Sequence, residues 1–177
     1  DVKNLSNLQK IDNWTYVLNH CTFKQLTDFG LLNKEKLYIF SCVRNIFYRM
    51  ISLYCVYGSR CGSFDKFIEE VSVHLENIRS NVNYKLTFTA NVDNLFLSQK
   101  DFLILENKIV CMDIFRFEEY DKMISKVSKI SGKINKLILF KNVSPNRKDY
   151  RSYYSVKTKK RVEKLYEEDI DFFKFQF

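Results

Sequence analysis

Residues Leu37 to Tyr57, LYIFSCVRNIFYRMISLYCVY, decide how the rest of the chain is read. The opening LYIFSCV is a nearly continuous apolar run, the pattern of a strand buried on both faces in a parallel sheet. From Ile46 onward the spacing changes. Phe47, Met50, Ile51 and Tyr54 recur at three- and four-residue intervals, which predicts an amphipathic helix to Tyr57. Arg44 and Asn45 fall at the junction, so the stretch predicts a central strand, a turn and a helix.

Working outward, Thr15 to Asn19 reads as a short strand. Phe23 to Phe29 reads as a helix capped by Thr22, with Gly30 just past its end, where glycine tolerates a left-handed backbone. Ser63 opens another helix, with Phe64, Phe67, Ile68, Val71 and Leu75 on one core-facing stripe. Lys108 to Phe115 (KIVCMDIF) predicts a strand and Glu118 to Ile130 a helix. Leu137 to Phe140 is a short apolar stretch. Thr158 to Phe173 predicts a last helix that turns Val162, Leu165, Tyr166, Asp169 and Phe173 toward the body. Strands alternating with helices imply an α/β sheet covered by helices. With no repeat and no Gly/Pro/Ser linker, the 177 residues read as one domain.

Composition narrows the class. Hydrophobic residues make up 46% and charged ones 28%, and no apolar run approaches the ~20 residues that span a bilayer, so a soluble globular protein is expected. The net charge of +8 is uneven: Lys141 to Lys164 holds nine basic against two acidic residues, a local +7. Five cysteines without CxxC spacing and two histidines argue against a zinc site and a disulfide framework, and fit a reducing compartment. Cys42, Cys55 and Cys111, embedded in apolar runs, are expected to be buried. His74, on the amphipathic helix, is assigned a structural or surface place.

In a doubly wound sheet, ligands bind beyond the carboxyl ends of the strands, near helix N-termini. Arg44 is predicted at that edge, with Arg49 and Ser52 on the following helix. A guanidinium grips an oxyanion with two prongs and a hydroxyl adds a third bond, so the string reads as an anion site. The alternative is that Arg44 and Arg49 pair with surface carboxylates.

The string VRNIFYRMISLY resembles the "VR-(N/D)-P-x-x-R-x-x-S-x-Y" element of carbohydrate sulfotransferases that use 3′-phosphoadenosine 5′-phosphosulfate. Asn19 to Phe23 resembles that family's "H-x-T-F" segment and Phe115 to Glu118 its "x-R-F-E" segment. Asn142, Ser144, Arg147, Tyr150, Tyr153, Tyr154 and Leu165 to Phe172 resemble its C-terminal ending, so the likeness spans roughly residues 19–177. It implies a P-loop-NTPase-like three-layer parallel sheet with flanking helices. It also implies transfer of a sulfuryl group to a carbohydrate hydroxyl, without a metal. Arg44 and Ser52 would hold the cofactor's 3′-phosphate, Arg147, Tyr150 and Arg151 would close over it, and His20 would be the catalytic base. The acceptor would be a saccharide, including an anionic glycan. The location would be the Golgi lumen, behind an N-terminal membrane tether, as for family members of nucleated cells, or otherwise the cytoplasm.

Two departures stand out. Ile46 replaces the family's proline, which would have preset the backbone after Arg44. The lysine-bearing 5′-phosphosulfate loop is missing between Asp1 and Asn19, so the chain is expected to be an N-terminally truncated domain with impaired transfer. A second reading is a non-catalytic basic domain, whose Lys141 to Lys164 segment grips nucleic acid or another polyanion. A P-loop kinase is disfavoured, because no Walker sequence is present.

Overall fold

The computed structural model describes residues 8–11, 14–17, 22–28, 38–80, 93–132 and 148–177. Strands β1 (Leu8–Ile11) and β2 (Trp14–Val17) pair antiparallel, Leu8 with Val17 and Ile11 with Trp14. Helix α1 (Phe23–Asp28) follows. Strand β3 (Phe40–Val43) leads through Arg44 and Asn45 into α2 (Ile46–Tyr57), the helix that the spacing predicts. Asn45 is its N-cap, and its side-chain oxygen accepts from the Phe47 N–H at 3.0 Å.

A 3-10 turn, Gly58–Cys61, reverses the chain into α3 (Phe64–Arg79), and the hydroxyl of Ser63 caps that helix by accepting from the Lys66 N–H. Two further 3-10 turns, Asp93–Phe96 and Lys100–Phe102, precede a hairpin of β4 (Ile104–Leu105) and β5 (Lys108–Ile109). Strand β6 (Asp113–Arg116) and a 3-10 turn, Phe117–Glu119, lead to α4 (Tyr120–Ser131). A last 3-10 turn, Tyr150–Tyr153, precedes α5 (Val156–Leu165) and α6 (Glu167–Phe173).

This architecture overturns the expected three-layer parallel sheet of P-loop-NTPase type. The described residues form three separate two-stranded sheets, of which only β3 and β6 run parallel, and helix predominates. The apolar run before Arg44 is not a central strand: Phe40 stays 38% exposed, Cys42 is exposed and Val43 alone is buried in β3. Apolarity marks a doubly buried strand only where layers cover both faces, and among the described residues β3 has one strand neighbour.

The run from Lys108 to Phe115 also divides. Glu106 and Asn107 both adopt left-handed φ (51° and 61°), the geometry of a two-residue hairpin turn, so Lys108–Ile109 folds back on Ile104–Leu105. Only Asp113–Arg116 reaches β3, pairing Val43 with Arg116. The predicted C-terminal helix breaks at Tyr166 into α5 and α6. Leu137 to Phe140 lies outside the described residues.

The core is a layer of helices. Phe47, Met50 and Ile51 of α2 meet Phe67, Ile68, Val71 and Leu75 of α3, closed by Phe96, Val162 and Tyr166. All five residues of the predicted α3 stripe are buried, and His74 is fully buried beside the Phe96 ring. The tight α2–α3 connection depends on Gly58. A Cβ there would overlap the Tyr54 ring and approach Phe67 at 3.1 Å, and that ring is itself wedged against Phe64 and Phe67. Gly58→Ala is therefore expected to cost about 1–3 kcal/mol through overpacking, read as a lower urea midpoint at unchanged slope.

Candidate functional site

The junction of β3 and α2 brings Arg44 and Ser52 together. The Arg44 guanidinium donates to the Ser52 hydroxyl at 2.7 Å, because Ser52 lies two turns along α2 on the side facing the strand end. The same guanidinium lies over the Phe117 ring, 4.6 Å from its centre. Its backbone is held as firmly: the Arg44 N–H donates to Gln99 Oε1 at 2.8 Å, and Gln99 Nε2 donates to the Arg44 carbonyl at 2.8 Å.

Arg49 does something different from its sequence neighbour. Its guanidinium turns inward and donates to the carbonyls of Leu97 (3.0 Å) and Leu95 (2.9 Å). Burial pulls its pKa below the ordinary value, while Tyr166 and Asp169 pull it the other way. Arg49 is thus a brace for residues 95–97, with backbone carbonyls in place of the surface carboxylate that the alternative reading expects.

On the opposite flank, Tyr150 is buried and its ring lies against that of Tyr48, with centres 3.8 Å apart and planes tilted by 37°. Arg151 is exposed, with its guanidinium 4.6 Å from the Tyr150 ring centre and 5.9 Å from that of Phe177. Lys159 of α5 lies 4.8 Å from the Phe177 ring centre. The C-terminal residues tie these groups to the β3–α2 junction. The Asn45 amide donates to the Gln176 carbonyl at 2.7 Å, and Phe177 packs edge-on against Phe47, Tyr150 and Tyr154. Arg116, opposite Val43 in register, donates to the Phe173 carbonyl and lies 5.7 Å from the Phe175 ring centre. The turn that carries this tail across is made at Lys174, in a left-handed conformation that ends α6.

Two candidates from the sequence, His20 and Arg147, lie outside the described residues. The basic segment is partly neutralised where it is described: Lys157 and Arg161 both reach Glu69, Lys159 pairs with Glu163, and Arg151 stands 4.0 Å from Asp149. These pairs lie at or near the surface, where solvent screening leaves each worth little to stability.

The cysteines depart from expectation. Cys42 and Cys55 are exposed, because they lie on the outer faces of β3 and α2, and Cys111 is half-buried. Among the described cysteines Cys61 is the buried one; burial and then Glu70 push its thiol up to about 11. A separate cleft of about 460 Å³ lies between the end of α3 and the α5–α6 break. Its rim carries both signs, Arg79 and Lys164 against Asp101, Glu167 and Glu168, so it is not an anion pocket.

No family model, no curated protein and no solved structure matches the chain. Together with the helix-dominated fold and the two-stranded parallel sheet, this overturns the identification as a carbohydrate sulfotransferase. Sulfuryl transfer, the 3′-phosphoadenosine 5′-phosphosulfate cofactor and the classification as an enzyme of that kind fall with it, since the described residues provide no phosphate-binding sheet edge of that architecture. Motifs bind a function only in their structural context, and the described residues do not supply that of the sulfotransferase family. Among the described residues no group of three or more His, Cys, Asp or Glu side chains could hold a metal ion, and no helix is long and apolar enough to cross a membrane.

Gln99 is the residue that sequence reasoning missed. Among the described cysteines, alkylation by iodoacetamide at pH 8 followed by mass spectrometry is expected to modify Cys55 and Cys42 first and Cys61 last, because thiolate and access are both withheld from Cys61.

Proposed function

We propose that the chain is a non-catalytic binding module for an anionic glycan, engaged by the cations around the N-terminus of α2 and the C-terminal tail. The observation that carries this reading is that four cations, Arg44, Arg116, Arg151 and Lys159, each lie over an aromatic ring belonging to Phe117, Phe175, Tyr150 or Phe177. A ring face braces a cation at a cost of little hydration and fixes where its N–H edge points. A set of such cations favours a ligand that offers several separated negative groups.

The same observation selects among polyanions. Single-stranded nucleic acid is gripped by stacking bases on open aromatic faces. Here the Tyr150 ring is buried between Tyr48 and Arg151, and Phe177 is covered by Tyr and cation neighbours. What the surface offers is charge with direction, suited to sulfate or carboxylate groups along a saccharide. The helix dipole of α2 adds positive potential at Asn45.

The test is titration of the chain with a fluorescent sulfated oligosaccharide across a salt series, with its unsulfated counterpart and a single-stranded oligonucleotide alongside. Saturable binding of the sulfated sugar is expected, with log affinity falling steeply against log salt. Arg151→Ala and Lys159→Ala are each expected to reduce that slope by about one and to weaken binding several-fold. Equal binding of the unsulfated sugar, or affinity untouched by both substitutions, contradicts the proposal. Preference for the oligonucleotide replaces it with a nucleic-acid module.

A further inference from the structure

We infer that Gln99 is a positioning residue for anion recognition by Arg44, through a connection that runs from α6 to the site. The inference rests on the anion-binding reading. Arg44 sits where two regular structures end. The β3–β6 pairing stops at Val43 and Arg116, and α2 begins at Ile46, so neither ladder takes charge of the Arg44 peptide groups. Backbone polar groups withdrawn from water need partners. One side chain supplies both: the Gln99 amide accepts from the Arg44 N–H and donates to its carbonyl, each at 2.8 Å. That double bond pattern also dictates which end of the amide is oxygen.

Gln99 is suited to the task because it is itself immobilised. Its side chain is nearly buried, at 9% exposure, and its own N–H donates to Asp169 Oδ2 at 2.8 Å. The Asp169 carboxylate, fully buried on α6, also accepts from the Lys100 N–H at 2.9 Å and from the Ser98 hydroxyl. The chain of contacts is thus Asp169 to the Gln99 backbone, the Gln99 side chain to the Arg44 backbone, and the Arg44 guanidinium to Ser52 and Phe117. Arginine carries roughly 2 kcal/mol of rotamer entropy, and fixing its backbone and its head in advance removes part of the ordering cost of binding.

Position and charge are separable by experiment. Gln99→Met preserves length and volume, removes both hydrogen bonds to Arg44 and leaves the net charge unchanged. Arg44→Ala removes the charge itself. Binding of the sulfated oligosaccharide is measured over a salt series for the full chain and each variant, with urea unfolding as the check on folding. For Gln99→Met the expected result is affinity about tenfold lower with the salt slope unchanged, since no cation is lost. For Arg44→Ala both affinity and slope fall. Gln99→Glu, which keeps the acceptor, loses the donor and adds a negative charge, is expected to lower both.

Should Gln99→Met lose its cooperative unfolding transition, Gln99→Glu carries the test. A folded Gln99→Met chain, or failing that a folded Gln99→Glu chain, that binds within twofold of the unaltered chain overturns the positioning role. If Arg44→Ala still weakens binding in that case, the anion-binding reading stands alone. No binding by the unaltered chain overturns both.

Discussion

Among the described residues, the packing of α2, α5 and α6 turns on how the segment from Leu95 to Lys100 is satisfied. It packs against the core without belonging to an α-helix or a sheet; 3-10 turns meet some of its polar groups locally, and side chains from elsewhere meet others. Arg49 of α2 donates to the carbonyls of Leu95 and Leu97, the Tyr166 hydroxyl donates to the Phe96 carbonyl at 2.8 Å, and Asp169 of α6 accepts from Ser98, Gln99 and Lys100. Hydrogen bonds to charged groups contribute about 1.5–3 kcal/mol each, and leaving a buried donor or acceptor unmet costs at least as much. The Arg49 guanidinium and the buried Asp169 carboxylate thus bond to successive parts of this one segment.

The clamp explains features that look unrelated. The α5–α6 break falls at Tyr166, whose fully buried ring and hydroxyl serve the segment, so the helix yields to that contact. Burial, ahead of neighbouring charges, raises the Tyr166 phenol well above its usual value and keeps it a donor. The segment in turn presents Gln99 to Arg44, which connects the interior to the cationic surface. Arg49 and Arg44, five residues apart on one sequence string, thereby differ in role: the first bonds to the carbonyls of Leu95 and Leu97, the second to Ser52 beside the Phe117 ring.

How much of this was legible in the sequence depends on how local its cause is. The bounds of α2 follow from an Asn that caps and a clean helical spacing, and α3 follows from Ser63 and its apolar stripe. The meeting of Arg44 and Ser52 follows from helical geometry once those bounds are right. The apolar runs misled because periodicity reports apolarity and not how many layers cover a strand, so β3 and Cys42 emerged exposed. The hairpin at Glu106 and Asn107 was hidden because only Asn hints at a left-handed turn. Gln99 was invisible for a stronger reason: in LFLSQKDF it is an ordinary polar residue, and its role exists only through residues 55 and 70 positions away.

Native-state hydrogen exchange at the Gln99 and Lys100 amides tests the clamp most directly. Both donate to a buried carboxylate, so they should exchange only through global unfolding, with protection equal to the core amides of α2 and α3. Exchange as fast as that of the exposed Glu106–Asn107 turn would contradict the account, because the segment would then open without disturbing the core it is said to hold in place.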